Sequence, residues 1–336
     1  MRVCDWIPQY LRSVGVERVH GLMGGGAAGL NDGFIKANMP YICYHHEQGA
    51  GHAAIGESKY TGRLSVVNPT TGCAGTNCAT SVLNAWQDSV PVLFLSGNVR
   101  LNTCSGWINF NNPGVNIRKY GIQEHHVVDT YRTMTKYSRF ITSVDDVAYH
   151  ISYAVHCATA GRPGPVWIDI PGDIQLAEMP EQYNLYLPPA DHHAPMKLER
   201  IKSTIYRSER PLILAGYGIR QSNTVEQFNR FIEHYEIPFA STYGGRDYTA
   251  GNHHYSLGTV GQKGSRAGNF AVQNCDLLLV LGSSLNASVV GYDPKQFSPH
   301  SYKIGVDIDL GELNKNIVNL NEKINMSLQD FFKVML

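Results

Sequence analysis

The chain has 336 residues, 43% of them apolar, and its 28 Lys and Arg balance 28 Asp and Glu, so the formal net charge is zero. A neutral chain has no basic field to attract nucleic acid or an anionic membrane, and neither is expected as a partner. The longest apolar run, Leu277–Leu281, is far short of the roughly 18 to 20 residues that span a bilayer. The N-terminus also lacks the apolar core of a signal peptide, so a cytoplasmic protein is expected.

From the N-terminus, apolar positions at helical spacing predict a helix over Asp5–Val14 that stops at Gly15. A strand in "ERVHGLM", a loop into a helix in "GGGAAGLNDGFIKAN" and a strand in "PYICYHH" follow. Next come a helix over Glu47–Tyr60 ended by Gly62, a strand "RLSVVNP", a loop "TTGCAGTN", a helix over Ser81–Gln87 and a strand "VPVLFLSGNV". A turn-rich loop over Arg100–Arg118 precedes a helix over Val147–Ala160 and the strand "GPVWIDIP". The proline-containing stretch Gln175–His193 reads as a linker. The alternation restarts with "RPLILAGYG", a helix over Thr224–Tyr235, "IPFASTYGG", a helix over Ala267–Asn274, "CDLLLVLGSS", "YKIGVDID" and an amphipathic end in "SLQDFFKVML". Apolar, β-branched runs separated by helices predict an α/β protein of two doubly wound domains, with mainly parallel sheets flanked by helices. Its domains are expected over 1–175 and 196–336, with a linker over 176–195.

The seven cysteines, at 4, 43, 73, 78, 104, 157 and 275, are scattered and form no CxxC pair, so reduced, buried thiols and no metal site are expected. The histidine pairs 125/126, 192/193 and 253/254 have no third ligand in view and read as structural.

Gly24, Gly26 and Gly29 satisfy G-x-G-x-x-G between a strand and a helix, and Glu47 lies about twenty residues on, as in a nicotinamide-dependent dehydrogenase. The preceding strand, however, carries Glu17, Arg18 and His20, where a central first strand is apolar, and a helix comes before it. Glu47 itself ends a strand at the edge where open α/β sheets bind ligands. Burial there would raise its pKa and let it share a proton with a heterocyclic base. Gly49, Ala50, Gly51, Ala53, Ala54 and Gly56 then spread small residues around the following helix, which suits a close-approaching helix or flat ring. The plainer reading, a glutamate favoured by the helix dipole in a helix packed on its neighbours, stands level on this segment alone. His45 and His46 are adjacent on a strand-like run, so at most one faces a site.

The ordered series "HHEQGAGHAAIGESKYTG", "SVVNPTTGCAGTNCATSVLNAWQDSVPVLFLSGNV", "GIQEHHVVDTYRTMTKYS" and "GRPGPVWIDIPGDIQ" resembles thiamine-diphosphate enzymes of the acetolactate synthase group. "RPLILAGYGI", "HHYSLGTVGQKGSRAGNFAVQNCDLLLVLGSSL" and "YKIGVDIDLGELNKN" are similar to the central domain of that group. The resemblance implies that Glu47 is the glutamate that hydrogen-bonds N1′ of the cofactor's aminopyrimidine. It implies that Gln123 reaches the reacting centre, that His46 is the site histidine of its pair, and that Gly25, Gly26, Pro69, Gly72, Gly75 and Asn77 border the cofactor. The implied activity is decarboxylation of a small 2-keto acid, pyruvate being the expected donor, followed by carboligation. "TTGCAGTN" with "NAWQDS" looks closer to members associated with surface-polysaccharide and branched-sugar synthesis.

In the second half, Gly216, Gly218, Gly264, Gly282 and Asp307 match the region where acetolactate synthases hold a structural flavin (FAD). At "GSSLNASVVG" the chain departs from the charged run those synthases carry, which argues against FAD. The family's GDG motif, which binds Mg2+ and the cofactor diphosphate, does not occur, its nearest string being "PGDIQ". The Mg2+ is therefore expected on a domain absent from this chain. The chain is then half of a split enzyme with a separate diphosphate-binding subunit, a truncated enzyme, or a non-catalytic scaffold. A homodimer or larger assembly is expected through the small-residue helix, and a pure interaction protein is the alternative from a different class.

Overall fold

Runs such as "SVVN" and "VWIDIP" are buried at every position, and this complete burial is what a parallel strand covered on both faces requires. The computed structural model describes residues 1–189, 198–249 and 253–336. It divides into two units, Met1–Ala190 and Asp191–Leu336. His192 and His193, and the end of the expected linker, lie outside the described residues.

The first unit is a parallel sheet of β1 (Val19–Gly21), β2 (Tyr41–Cys43), β3 (Ser65–Asn68), β4 (Val92–Asn98), β5 (Tyr137–Phe140) and β6 (Val166–Pro171), in the order β2-β1-β3-β4-β6-β5. The second repeats the plan with β7 (Pro211–Ala215), β8 (Phe239–Ser241), β9 (Ser256–Thr259), β10 (Leu277–Leu281), β11 (Tyr302–Asp307) and β12 (Glu322–Asn325), in the order β12-β11-β10-β7-β8-β9. All the strand pairings are parallel, which agrees with the two doubly wound domains expected. Successive side chains point to opposite faces, so each sheet feeds two cores. Leu93, Leu95 and Ile168 pack on one face of the first sheet, and Phe94 and Trp167 on the other. The strand order reverses between β1 and β3, and the crevice at their carboxyl ends is where such folds bind ligands.

Several elements were not visible in the sequence. The loop expected at "TTGCAGTN" contains a short helix, Cys73–Asn77, and the loop expected over Arg100–Arg118 contains a helix, Ser105–Asn111. Helices of two turns or fewer complete too few periods to register as amphipathic. The edge strands β5, β9 and β12 are short and polar, "YSRF", "SLGT" and "EKIN", and so lack an apolar run. Part of the expected linker belongs to the first unit: Val3 N donates to Ala177 O, Arg2 and Glu178 form a bridge, and Tyr186 N donates to the Ser152 hydroxyl. Four cysteines are buried, whereas Cys43 and Cys73 are exposed and Cys157 is half-buried, and all seven are free thiols. Among the described residues no helix is long and apolar enough to cross a membrane.

The first helix, Val3–Ser13, lies tightly on the helix Ala28–Lys36: a Cβ on Gly33 would stand 1.8 Å from the Cys4 carbonyl oxygen. Gly33→Ala therefore forces the two backbones apart. It should lower unfolding stability by about 1–3 kcal/mol, the usual cost of overpacking, in a urea titration; an unchanged midpoint would refute the contact.

Candidate functional site

The residues singled out in the first half of the sequence gather around one segment, 69–77, which leaves the end of β3 at the crevice. Pro69 O accepts from Gly97 N, anchoring the segment to β4. Gly72 adopts φ +60, and a Cβ there would fall 1.5 Å from the Gln123 carbonyl oxygen, so only glycine permits this approach. Gln123 itself has φ 56 and an exposed side chain. Gly75 packs on Val127, and its carbonyl accepts from Tyr131 Oη at 2.6 Å. At the far end of the segment, Asn77 Nδ2 donates to Glu47 Oε2 at 3.0 Å.

Glu47 opens the helix Glu47–Thr61, which Gly62 ends in the left-handed region at φ 71. Its carboxyl is half-buried rather than enclosed, short of the burial expected of it. The strand before it stops at Cys43, so His45 and His46 do not alternate across a sheet; both are exposed, and His46 is the N-cap, its Nδ1 accepting from Gln48 N at 3.2 Å. The small residues of this helix divide into two sets. Ala50, Gly51 and Ala54 are buried, and a Cβ on Gly51 would lie 2.1 Å from Ser81 Oγ of the helix Ala79–Gln87. Gly49 and Gly56 are exposed, with nothing within 4 Å of where a Cβ would stand.

The glycines after β1 meet the same segment. A Cβ on Gly24 would lie 2.5 Å from Thr70 Cγ2 and one on Gly26 3.0 Å from Thr71 Cγ2, whereas Gly25 is exposed and faces open space. The dehydrogenase-like glycines thus serve the approach of two loops. Thr70 Oγ1 is buried and has no hydrogen-bond partner among the described residues.

Three buried polar residues behind this segment gave no signal in the sequence. Asp169 is wholly buried, accepting from Ser96 Oγ at 2.6 Å and from Asn98 Nδ2 at 2.7 Å, and burial pushes its pKa up to about 6. Asn98 Oδ1 in turn accepts from Thr71 Oγ1 at 2.7 Å. Gln175 is also wholly buried; its Nε2 donates to Gly26 O and Ile170 O at 2.7 Å, tying the glycine loop to β6. His125 and His126 bond to Thr130 and Asp129 respectively. Among the described residues no three His, Cys, Asp or Glu side chains converge as a metal site.

In the second unit the matched glycines hold backbone against backbone. Gly216 N donates to Leu281 O and Gly218 N to Gly282 O at 2.9 Å. A Cβ would stand 2.1 Å from Gly282 O on Gly216, and 2.7 Å from Thr259 O on Gly264. Gly282 has φ 56, and Asp307 Oδ1 accepts from Asp309 N. These glycines are accounted for by close backbone contacts within the unit.

Two family models match the chain. "Thiamine pyrophosphate enzyme, N-terminal TPP binding domain" covers residues 1–131, and "Thiamine pyrophosphate enzyme, central domain" covers residues 198–331. The chain belongs to the thiamine pyrophosphate enzyme family. Among curated proteins it is similar to the probable acetolactate synthase large subunit of Methanocaldococcus jannaschii, 32% identical over 94% of this chain and 53% of that protein. Comparable matches are the acetolactate synthase isozyme 2 large subunit of Escherichia coli, 31% identical over 94% of this chain and 55% of that protein, and the acetolactate synthase large subunit of Lactococcus lactis, 34% identical over 91% and 52%. The chain therefore spans about half the length of these relatives.

The residues present fit the pyrimidine end of the family's cofactor. Glu47 offers a carboxyl bonded by one amide, Thr70 a buried hydroxyl without a partner, and Gly25 open space beside that hydroxyl's loop. Packing and ligand roles separate experimentally. Gly72→Ala, strained and in collision, should cost at least about 1–3 kcal/mol in denaturant titration. Gly25→Ala should stay within about 0.5 kcal/mol of the parent while weakening thiamine diphosphate binding. Equal stability effects would contradict the geometry.

Proposed function

We propose that this chain supplies the pyrimidine-binding and central domains of a thiamine-diphosphate-dependent carboligase that decarboxylates a small 2-keto acid. The observation that carries the reading is the Glu47 carboxyl, set at the mouth of the crevice and bonded among the described residues by the amide of Asn77, on the segment that Gly72 locks to Gln123.

When bound, thiamine diphosphate supplies an electron sink that makes loss of CO2 from a 2-keto acid feasible. The chain's residues prepare that chemistry. Asn77 holds one carboxylate oxygen of Glu47, leaving Oε1 to share a proton with N1′ of the aminopyrimidine. Gly25, with nothing within 4 Å of where a Cβ would stand, leaves room for a flat ring beside the segment. Gln123, on its left-handed turn against Gly72, is assigned to the substrate end. We assign the diphosphate and its Mg2+ to residues other than those of this chain, since no three His, Cys, Asp or Glu side chains converge as a metal site among the described residues and the chain spans about half the length of its relatives.

The outward face of the same helix favours self-association. Gly49 and Gly56 lie open, with the half-buried Ala53 and the exposed His52 between them, which gives a face of small residues around one imidazole suited to a two-fold contact. Ala53→Arg should convert an assembled species into monomer in sedimentation at micromolar concentration, and a parent chain that is already monomeric there would contradict this contact.

The cofactor role of Glu47 has its own test. In the complete assembly Glu47→Gln keeps shape but cannot share the proton, so hydrogen exchange at C2 of bound thiamine diphosphate, followed by NMR, should slow on the order of 10²-fold or more. Exchange at the parent rate would overturn the assignment.

A further inference from the structure

The wholly buried carboxyl of Asp169 takes no part in the chemistry above and sits one strand away from the segment that does. Replacing a buried charge by an apolar group is often neutral or stabilising, so its retention calls for a role beyond packing. Its two bonds show one. A carboxylate only accepts, so Asp169 dictates polarity to both neighbours. Asn98 must turn its NH2 inward, which leaves Oδ1 for the Thr71 hydroxyl and Val99 N. Ser96 must point its hydrogen inward, which leaves its oxygen to accept from Trp167 Nε1 at 2.8 Å.

Each arm then reaches the cofactor segment from a different end. The Asn98 arm bonds Thr71, the residue before the Gly72 contact with Gln123. The Ser96 arm fixes Trp167, which stacks on Tyr131 with ring centroids 4.5 Å apart, and Tyr131 Oη donates to the carbonyls of Gly75 at 2.6 Å and Thr76 at 3.2 Å, next to Asn77. We propose that Asp169 is a positioning residue, whose carboxylate sets the hydrogen-bond polarity of Asn98 and Ser96 and thereby holds both ends of segment 71–77, presenting Asn77 to Glu47 and Gly72 to Gln123. The meaning of that segment rests on the carboligase reading, but the coupling itself is a property of the free chain.

The charged and titratable groups facing Asp169 are His126 and Glu124 from the stretch after Gly121, and the Cys104 thiol. His126 favours the carboxylate and Glu124 opposes it, while burial raises the pKa to about 6. Protonation turns the acceptor facing Ser96 into a donor and leaves Asn98 a neutral oxygen in place of a charged one, so the Ser96 bond reverses and the Asn98 bond weakens; Asp169→Asn copies that state, its NH2 donating to Ser96 and its neutral oxygen accepting from Asn98.

The test reads nitrogen–proton NMR spectra of the full chain without cofactor. In the parent, the Trp167 indole signal should titrate with a midpoint at about pH 6, and the Gly72 backbone and Asn77 side-chain amides should move with the same midpoint. In Asp169→Asn all three should be fixed near their low-pH positions. Thr71→Val cuts only the Asn98 arm. It should leave the Trp167 titration and reduce that of Gly72, which keeps the proposal testable if Asp169→Asn folds poorly. Gly72 and Asn77 signals indifferent both to pH and to Asp169→Asn would overturn it. In the complete enzyme Asp169→Asn should lower kcat on the order of 10²-fold with little change in KM, the scale of a misplaced reacting group. If the amides titrate as stated but thiamine diphosphate does not bind, the carboligase reading fails and the coupling stands.

Discussion

The candidate site depends on a contact between two backbones. Gly72, in the left-handed region, lies so close to the Gln123 carbonyl that no side chain fits between them. This contact joins the segment after β3 to the long connection after β4, although fifty residues of chain separate them. Without it, Gln123 would belong to a surface loop and the helix Cys73–Asn77 would have no fixed start. With it, the amide of Asn77 falls against Glu47. A backbone contact is stiffer than one between side chains, because neither partner has a rotamer to yield. That stiffness suits a site that must place a carboxyl against a flat ring.

The helix after Glu47 shows one sequence feature serving two ends. Its small residues raised the question of what approaches so closely. Part of the answer lies within the chain, since Gly51 and Ala54 are buried and Gly51 meets Ser81 of a neighbouring helix. The other part remains on the surface at Gly49 and Gly56, where nothing in the chain requires glycine. Glycine in a helix interior costs roughly 0.5–1 kcal/mol relative to alanine, and no contact among the described residues accounts for the two exposed ones, which is why the proposed self-association is placed there.

Much of this was legible because the relevant physics is local. Strands buried on both faces are mostly apolar, which exposes β3, β4, β6, β7 and β10 as sequence runs. Glu47 stood out as a carboxyl joining such a run to a helix of small residues. What could not be read depends on register. Asp169 in "WIDIP" looks like the polar position of an alternating strand, and only the pairing of Asp169 with Ser96 across β4 and β6 shows it to be enclosed. Gln175 stands at the start of a proline-containing stretch that reads as linker, but its side chain reaches across the fold to Gly26. The setting of His46 depends on register in the same way: the strand ends three residues earlier, and the ring caps a helix instead of alternating across a sheet. In the second unit, glycines that match a flavin site are accounted for by the crossing of β7 and β10 ends, a contact that no spacing rule reveals.

The central claim is that Glu47, oriented by Asn77, meets the aminopyrimidine at the crevice of the first sheet. The most direct measurement is a crystal structure of the complete assembly with thiamine diphosphate bound. A Glu47 carboxylate oxygen should lie within about 2.7–2.9 Å of N1′, the range of a charge-assisted N–H···O hydrogen bond, with Asn77 still on the other oxygen and the ring beside Gly25 and Thr70. A pyrimidine bound elsewhere, with Glu47 paired only to Asn77 as it is in the free chain, would contradict it.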